Sequence, residues 1–274
     1  MVMVIIRRII CIFMCLIAVL GNSFQLYAAE RTGQPTHREV KYNNKLKKAH
    51  TPQEVIDQID EDFKEYICEN MEKNEYFESY EYEDVAGENL KGREDNSKLK
   101  RALSNSDMEL KVFATRVKIN GIEYGKIYPS FKWKKSAAIK NDSFAFALYS
   151  GWSSKTNESP KLTIAAYREN KIINSNNITY ALANEAGYVF RIPRTYGMVP
   201  LPQGGYFRGY TNFYARKVNK RAENGISLTY VHDTSSLFNV SYGINIWFAS
   251  ISITKQSNDL FTFSKNLGFS YSTK

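Results

Sequence analysis

Cysteine and histidine are scarce: the 274 residues contain three of each. Cys11 and Cys15 lie in the apolar N-terminal segment, so Cys68 stands alone in the rest of the chain. A single cysteine excludes an internal disulfide and leaves stability to packing. No Cys or His pair has metal-ligand spacing, and neither an H-E-x-x-H helix nor an EF-hand loop occurs. A glycine loop for phosphate is also missing, because Gly204-Gly205 lies in a proline-rich stretch and not at a helix start. The sequence therefore implies no metal and no cofactor.

Nucleophilic chemistry is equally thin. His232 precedes Asp233, Ser235 and Ser236, but neighbours on a strand point to opposite faces and no G-x-S-x-G elbow exists. A strand-end histidine in a turn is the expectation. Paired carboxylates for glycoside cleavage would have to come from the eight acidic residues beyond Glu109, most of them at expected turns such as Glu123, Asp142 and Asp259. No catalytic residue is assigned.

What is present begins with an export signal. Arg7 and Arg8 precede an apolar run from Ile9 to Leu20, and small residues follow at Ala28 and Ala29. A basic region, a short apolar core and a small-residue exit describe a Sec-type secretory signal. A spanning helix needs about 20 apolar residues, which this run reaches only by burying both arginines. Residues 1–29 are read as the signal, with cleavage after Ala28 or Ala29 and a secreted product.

Charge divides the remainder. Residues 30–109 hold 20 acidic and 13 basic side chains, and residues 110–274 hold 8 and 22. An acidic front, net −7, thus precedes a basic back, net +14. Between Glu54 and Asp95 the front carries 16 acidic residues against 4 basic ones, and it could dock on the basic half as a built-in mask.

Residues 30–50 are polar and read as a flexible arm. Residues 51–109 form an acidic, partly helical region. There Thr51 as cap, Pro52 at the first helical position and Glu54 as the partner of a capping box predict a helix start. Val55, Ile56, Ile59, Phe63, Tyr66 and Ile67 fall on one face, with Asp57, Glu61, Glu65 and Glu72 opposite. Along a continuous helix Cys68 lies about 180° from Ile59, away from the apolar stripe. That position suits a solvated thiol or an intermolecular disulfide. A further short helix is expected from Lys98 to Leu103.

Residues 110–274 switch to period two. Asn120-Gly121 between alternating runs predicts a hairpin. Further strands are expected at 131–139, 143–149, 161–167, 178–183, 188–192, 206–215 and 226–231, and alternation is clearest over Phe238–Thr254 and Phe261–Ser272. The expected fold is mainly β: an antiparallel β-sandwich, or a barrel-like closure, behind an acidic, partly helical N-terminal region.

Two clusters interleave cations with aromatics: Lys132, Lys134 and Lys135 around Trp133, and Arg216, Lys217, Lys220 and Arg221 after Tyr214. They are the candidate binding patch. An exported protein meets anionic envelope polymers and lipid headgroups before nucleic acid, so the former are the expected partners.

The segment ISLTYVHDTSSLFNVSYGINIWFASISIT resembles the C-terminal blocks of uncharacterised secreted β-rich proteins of Gram-positive bacteria, through alternation and composition. The resemblance implies secretion and a β-fold and lends no activity. The leading reading is a secreted non-enzymatic binding protein whose basic β domain contacts the cell envelope or another anionic partner. A membrane-active protein, pore-forming or bacteriocin-like, is the alternative on the C-terminal alternation, with a secreted hydrolase third.

Overall fold

The structure, a computed structural model, describes residues 36–85, 88–89, 108–134, 141–155, 158–168, 171–193, 205–233, 240–245, 250–255 and 260–269. The signal segment, the expected Lys98–Leu103 helix and Lys135 lie outside the described residues. The chain divides into two units, residues 1–45 and 46–274.

In the first unit, residues expected to be a flexible arm open a helix, α1 (His37–Lys48). Its start is a reciprocal capping box. The Glu39 amide donates to Thr36 Oγ1 at 3.2 Å, and the Thr36 amide donates to Glu39. Thr-x-x-Glu occurs twice in this sequence, and the working copy is the first one.

In the second unit, α1 ends in a Schellman motif. Thr51 N–H bonds the Leu46 carbonyl, His50 N–H bonds the Lys47 carbonyl, and His50 sits at φ 62°. Thr51 gives its N–H to the end of this helix, and Pro52, not Thr51, holds the cap position of the next one. Helix α2 (Gln53–Gln58) accordingly starts behind Pro52 without a side-chain cap. The expected long helix is broken at Ile59 and Asp60, and α3 (Glu61–Asn70) restarts with a new phase. The break turns Cys68 inward: it is 2 % exposed, which overturns the solvent-facing position and removes the surface thiol that an intermolecular disulfide needs.

Two antiparallel sheets follow. The first runs β1 (Tyr76–Val85), β3 (Met108–Ile119), β4 (Ile122–Trp133), β11 (Tyr206–Tyr210), β7 (Lys161–Arg168) and β8 (Lys171–Thr179). β12 (Phe213–Lys217) also pairs with β4, and β6 (Trp152–Ser154) pairs with β12. The second sheet runs β2 (Glu88–Asn89), β16 (Leu260–Gly268), β13 (Gly225–Asp233), β5 (Asp142–Leu148), β10 (Gly187–Ile192) and β9 (Leu182–Asn184). A separate hairpin pairs β14 (Val240–Asn245) with β15 (Ser250–Lys255).

The predicted turn is there: Ile119 pairs with Ile122, and Asn120 and Gly121 both take positive φ, 50° and 81°. Positive φ at both central residues matches a type I′ turn, which asparagine and glycine accept most readily. Pro129 lies within β4, where a missing N–H would break an interior ladder. It is tolerated because β11 pairs with residues 130–132 and β12 with residues 125–127, so Pro129 falls between the two partners on that side.

The sheets face each other across one core. Leu110, Val112, Ile127, Phe131, Leu162 and Phe207 of the first meet Phe144, Phe146, Phe190, Leu228, Tyr230 and Phe263 of the second. Phe131 lies 5.0 Å from Phe144 and 4.6 Å from Tyr230 between ring centroids. The result is an antiparallel sandwich behind an N-terminal helical segment, as the alternation predicted. Period two then fixes the opposite face of the first sheet: Lys111, Lys126, Tyr128, Lys132, Arg208 and Tyr210 point away from this core. Among the described residues no helix is long and apolar enough to cross a membrane.

Candidate binding surfaces

The outer face of the first sheet meets the acidic front through buried ion pairs. Asp60, at the N-terminus of α3, pairs with Lys111, with Arg208 and, at 3.2 Å, with Lys132. Asp62 takes the other arm of Arg208 and accepts from Tyr210 Oη at 2.9 Å and Tyr206 Oη at 3.3 Å. Tyr210 continues to Tyr167, hydroxyl to hydroxyl, at 2.8 Å. Carboxylates in the first turn of a helix also suit its dipole.

Glu75 makes a second anchor beyond the helix. It accepts from Thr115 Oγ1 and Tyr128 Oη, each at 2.8 Å, and pairs with Lys126 at 3.1 Å. Arg208 is fully buried, and a buried guanidinium requires such partners. Burial works against ionisation of Asp60, but the charges of Arg208, Lys111 and Lys132 outweigh it and hold that carboxyl well below the usual range. The acidic front thus docks on the basic half through named pairs.

These contacts take apart much of the expected patch. Trp133 is buried in the core, edge-on to Tyr230 at 5.5 Å and Phe263 at 5.1 Å, because its strand parity points it inward. Lys132 is engaged by Asp60 and lies 4.7 Å from the centre of the Tyr206 ring. Lys134 pairs with Asp84 at 2.5 Å and Glu109 at 3.7 Å. Tyr214 donates to Glu72 at 3.1 Å under Lys126, and burial followed by Glu72 pushes its phenol above the usual range. Within the first cluster Trp133 is thus buried and Lys132 and Lys134 are paired with carboxylates, although Lys134 stays exposed.

The second cluster keeps an exposed part. Arg216, Lys220 and Arg221 are exposed at the end of β12 and in the turn after it, next to Val218 at 65 % exposure and the exposed Glu223. Lys217 donates to Asn224 Oδ1 at 2.9 Å. The turn is fixed from below: the amides of Val218 and Asn219 both bond the Gly151 carbonyl, at 2.8 and 3.1 Å. Gly151 has φ +90°, and a Cβ there would stand 2.4 Å from Ala222 Cβ. The cations are thus carried on a backbone that is already positioned.

A polar groove of about 580 Å³ lies between the C-terminal half of α3 and the β7–β8 edge. Tyr66, Asn70, Lys161, Thr163, Asn177 and Asn212 are among the residues that line it. Sequence reading missed it because asparagines far apart in a chain form no motif.

His232 is buried on the inner side of β13, and its Nδ1 lies 2.9 Å from Asp142 Oδ1. Tyr230 donates to the other oxygen of Asp142 at 2.6 Å. The histidine is therefore within the strand and packed against Trp133, not in a turn, and it does not meet solvent as a triad base would. Among the described residues no group of three His, Cys, Asp or Glu could hold a metal ion.

No protein-family model matches the chain, and no curated protein matches it. Among solved structures it is similar to the collagen-binding domain of a Staphylococcus aureus adhesin, at 9 % identity over 52 % of this chain and 87 % of that one, TM-score 0.28. It is also similar to the collagen-binding domain of an Erysipelothrix rhusiopathiae surface protein, at 10 % identity over 59 % and 61 %, TM-score 0.30. A third likeness is to a tailspike enzymatic domain of bacteriophage CBA120, at 14 % identity over 55 % and 18 %, TM-score 0.21. Likenesses at this level assign neither a partner nor an activity to this chain.

Proposed function

We propose that the chain is a secreted, non-enzymatic binding protein that contacts an anionic partner, an envelope polymer first of all, through Arg216, Lys220 and Arg221. The observation that carries this reading is the exposure of these three cations at the end of β12 and on the backbone-anchored turn after it, while Lys111, Lys126, Lys132, Lys134 and Arg208 are committed to carboxylates. Neighbouring cations raise the local potential and draw polyanions over a Debye length. The export signal read in residues 1–29 and the resemblance to secreted proteins of Gram-positive bacteria support a partner outside the cell.

Retention of the secreted chain on immobilised polyphosphate, measured as the salt needed for elution, tests it. The triple variant Arg216→Glu, Lys220→Glu, Arg221→Glu should elute at much lower salt with its thermal transition unchanged. Equal retention of parent and variant would remove this surface from consideration.

The membrane-active alternative has less support. β16 is held between β2 and β13 with Phe263 and Leu267 in the core, so it is not available to a bilayer. Over the described residues β14 and β15 have six residues each, against the roughly 9–11 that a spanning strand needs. Dye release from anionic vesicles at low protein-to-lipid ratio would revive it.

A further inference from the structure

We infer that the groove between α3 and the β7–β8 edge is a site for a neutral oligosaccharide, a ligand different in class from the polyanion proposed above. Its size lies within the range of small-ligand sites, about 300–1,000 Å³, at about 580 Å³.

The hydrogen bonds already made inside the groove sort what is left. Asn70 donates its amide N–H to the Tyr66 carbonyl at 2.8 Å, and Asn212 donates to Tyr66 Oη at 2.9 Å. Each of these carboxamides keeps its oxygen and a second N–H after that one bond, so each can still accept and donate. In the same lining, Asn177 uses its oxygen to accept from Thr163 Oγ1 at 2.8 Å. Its NH₂ group and the second lone pair of its oxygen remain, and Lys161 adds an ammonium to the same lining, so this part of the groove both donates and accepts. A hydroxyl gives one hydrogen bond and accepts two. A row of vicinal hydroxyls therefore matches a lining of carboxamides and hydroxyls that also both gives and accepts.

Other ligand classes fit less well. A polyanion would meet Glu69 and Glu158 as well as the carboxamide oxygens. Glu158 is balanced by Lys155 at 2.9 Å, which leaves little net positive charge to attract one. An extended peptide draws specificity from apolar pockets for alternate side chains, and Pro160 is the one aliphatic side chain of this lining.

The test is titration of the secreted chain with cellotriose, maltotriose and N-acetylated chitotriose, followed by protein NMR or calorimetry. At least one of the three should bind at millimolar concentration or better. Asn177→Ala should weaken that binding about tenfold, the size expected for one lost hydrogen bond in a small ligand, and Asn212→Ala should act similarly. Asn177 is exposed, so its variant keeps the fold even where Asn212→Ala does not. The charge-reversed Arg216/Lys220/Arg221 protein should bind the sugar as the parent does, which separates this site from the polyanion surface. Failure of all three sugars to bind the folded chain, unaltered binding by Asn177→Ala, or displacement of the sugar by trigalacturonate would each overturn the assignment.

Discussion

Arg208 on β11 and Asp62 on α3, 146 residues apart in the chain, form a buried ion pair that ties the acidic front to the basic sheet. Asp60 takes the other arm of the same guanidinium, so one side chain bridges two carboxylates at a single helix start, with Lys111 and Lys132 adding further positive charge beside Asp60. Such a pair is a poor source of net stability, because desolvation offsets most of the attraction. Its weight is felt when one side is removed.

Arg208→Met should therefore destabilise the protein by about 3–5 kcal/mol, since it strands Asp62 in a dry site. Arg208→Met combined with Asp62→Leu should recover much of that loss, because neither charge is then left uncompensated. Urea denaturation of the two single variants and the double variant gives the coupling. Additive losses would mean that the pair does not act as a unit.

Asp60 should contribute to acid sensitivity. Burial disfavours its charge, but Arg208, Lys111 and Lys132 hold its folded-state pKa well below the unfolded value of about 3.9. A carboxyl of that kind contributes stability above its unfolded pKa and loses it as pH falls toward the folded one. The parent should lose stability progressively below about pH 4, and Asp60→Asn should be less stable at neutral pH with a flatter acid limb. Matching slopes in the two proteins over that window would refute the assignment.

Gly151→Ala should weaken polyanion binding from a distance. The position has φ +90°, and the added methyl would meet Ala222 Cβ at 2.4 Å. The turn carrying Lys220 and Arg221 must move, although no charge is lost. Elution from polyphosphate at lower salt, with a modest fall in melting temperature, is the expected result. Unchanged retention would show that the turn need not be positioned in advance.

The legibility of this fold followed the range of the interactions. Alternation and the Asn120-Gly121 turn are local, and they placed β3, β4 and most of the sandwich. β1 was hidden by its carboxylates, whose partners on β16, such as Lys265 for Glu83, lie far along the chain. β8 was hidden because it is an exposed, polar edge strand with no core pattern. The candidate patch failed in part for the same reason. Lysine and tryptophan spacing in β4 is readable, but which face meets the acidic helix is set by strand parity and by Asp60. The charge asymmetry between the halves was the one sequence signal of that contact, and the structure resolves it into named pairs.

Cys68 offers a direct check on the helix break. On one continuous helix it would face solvent, whereas the interruption at Ile59 and Asp60 rotates α3 so that Cys68 follows Ile67 into the interior. Thiol reagents need an accessible thiolate, and burial in apolar surroundings disfavours it. The native protein should react with Ellman's reagent only on the timescale of unfolding, react at once in denaturant, and run as a monomer without reductant. Rapid labelling in native buffer or a reducible dimer would mean that residues 51–70 form one helix after all, and the position of Asp60 over Arg208 would have to be redrawn with it.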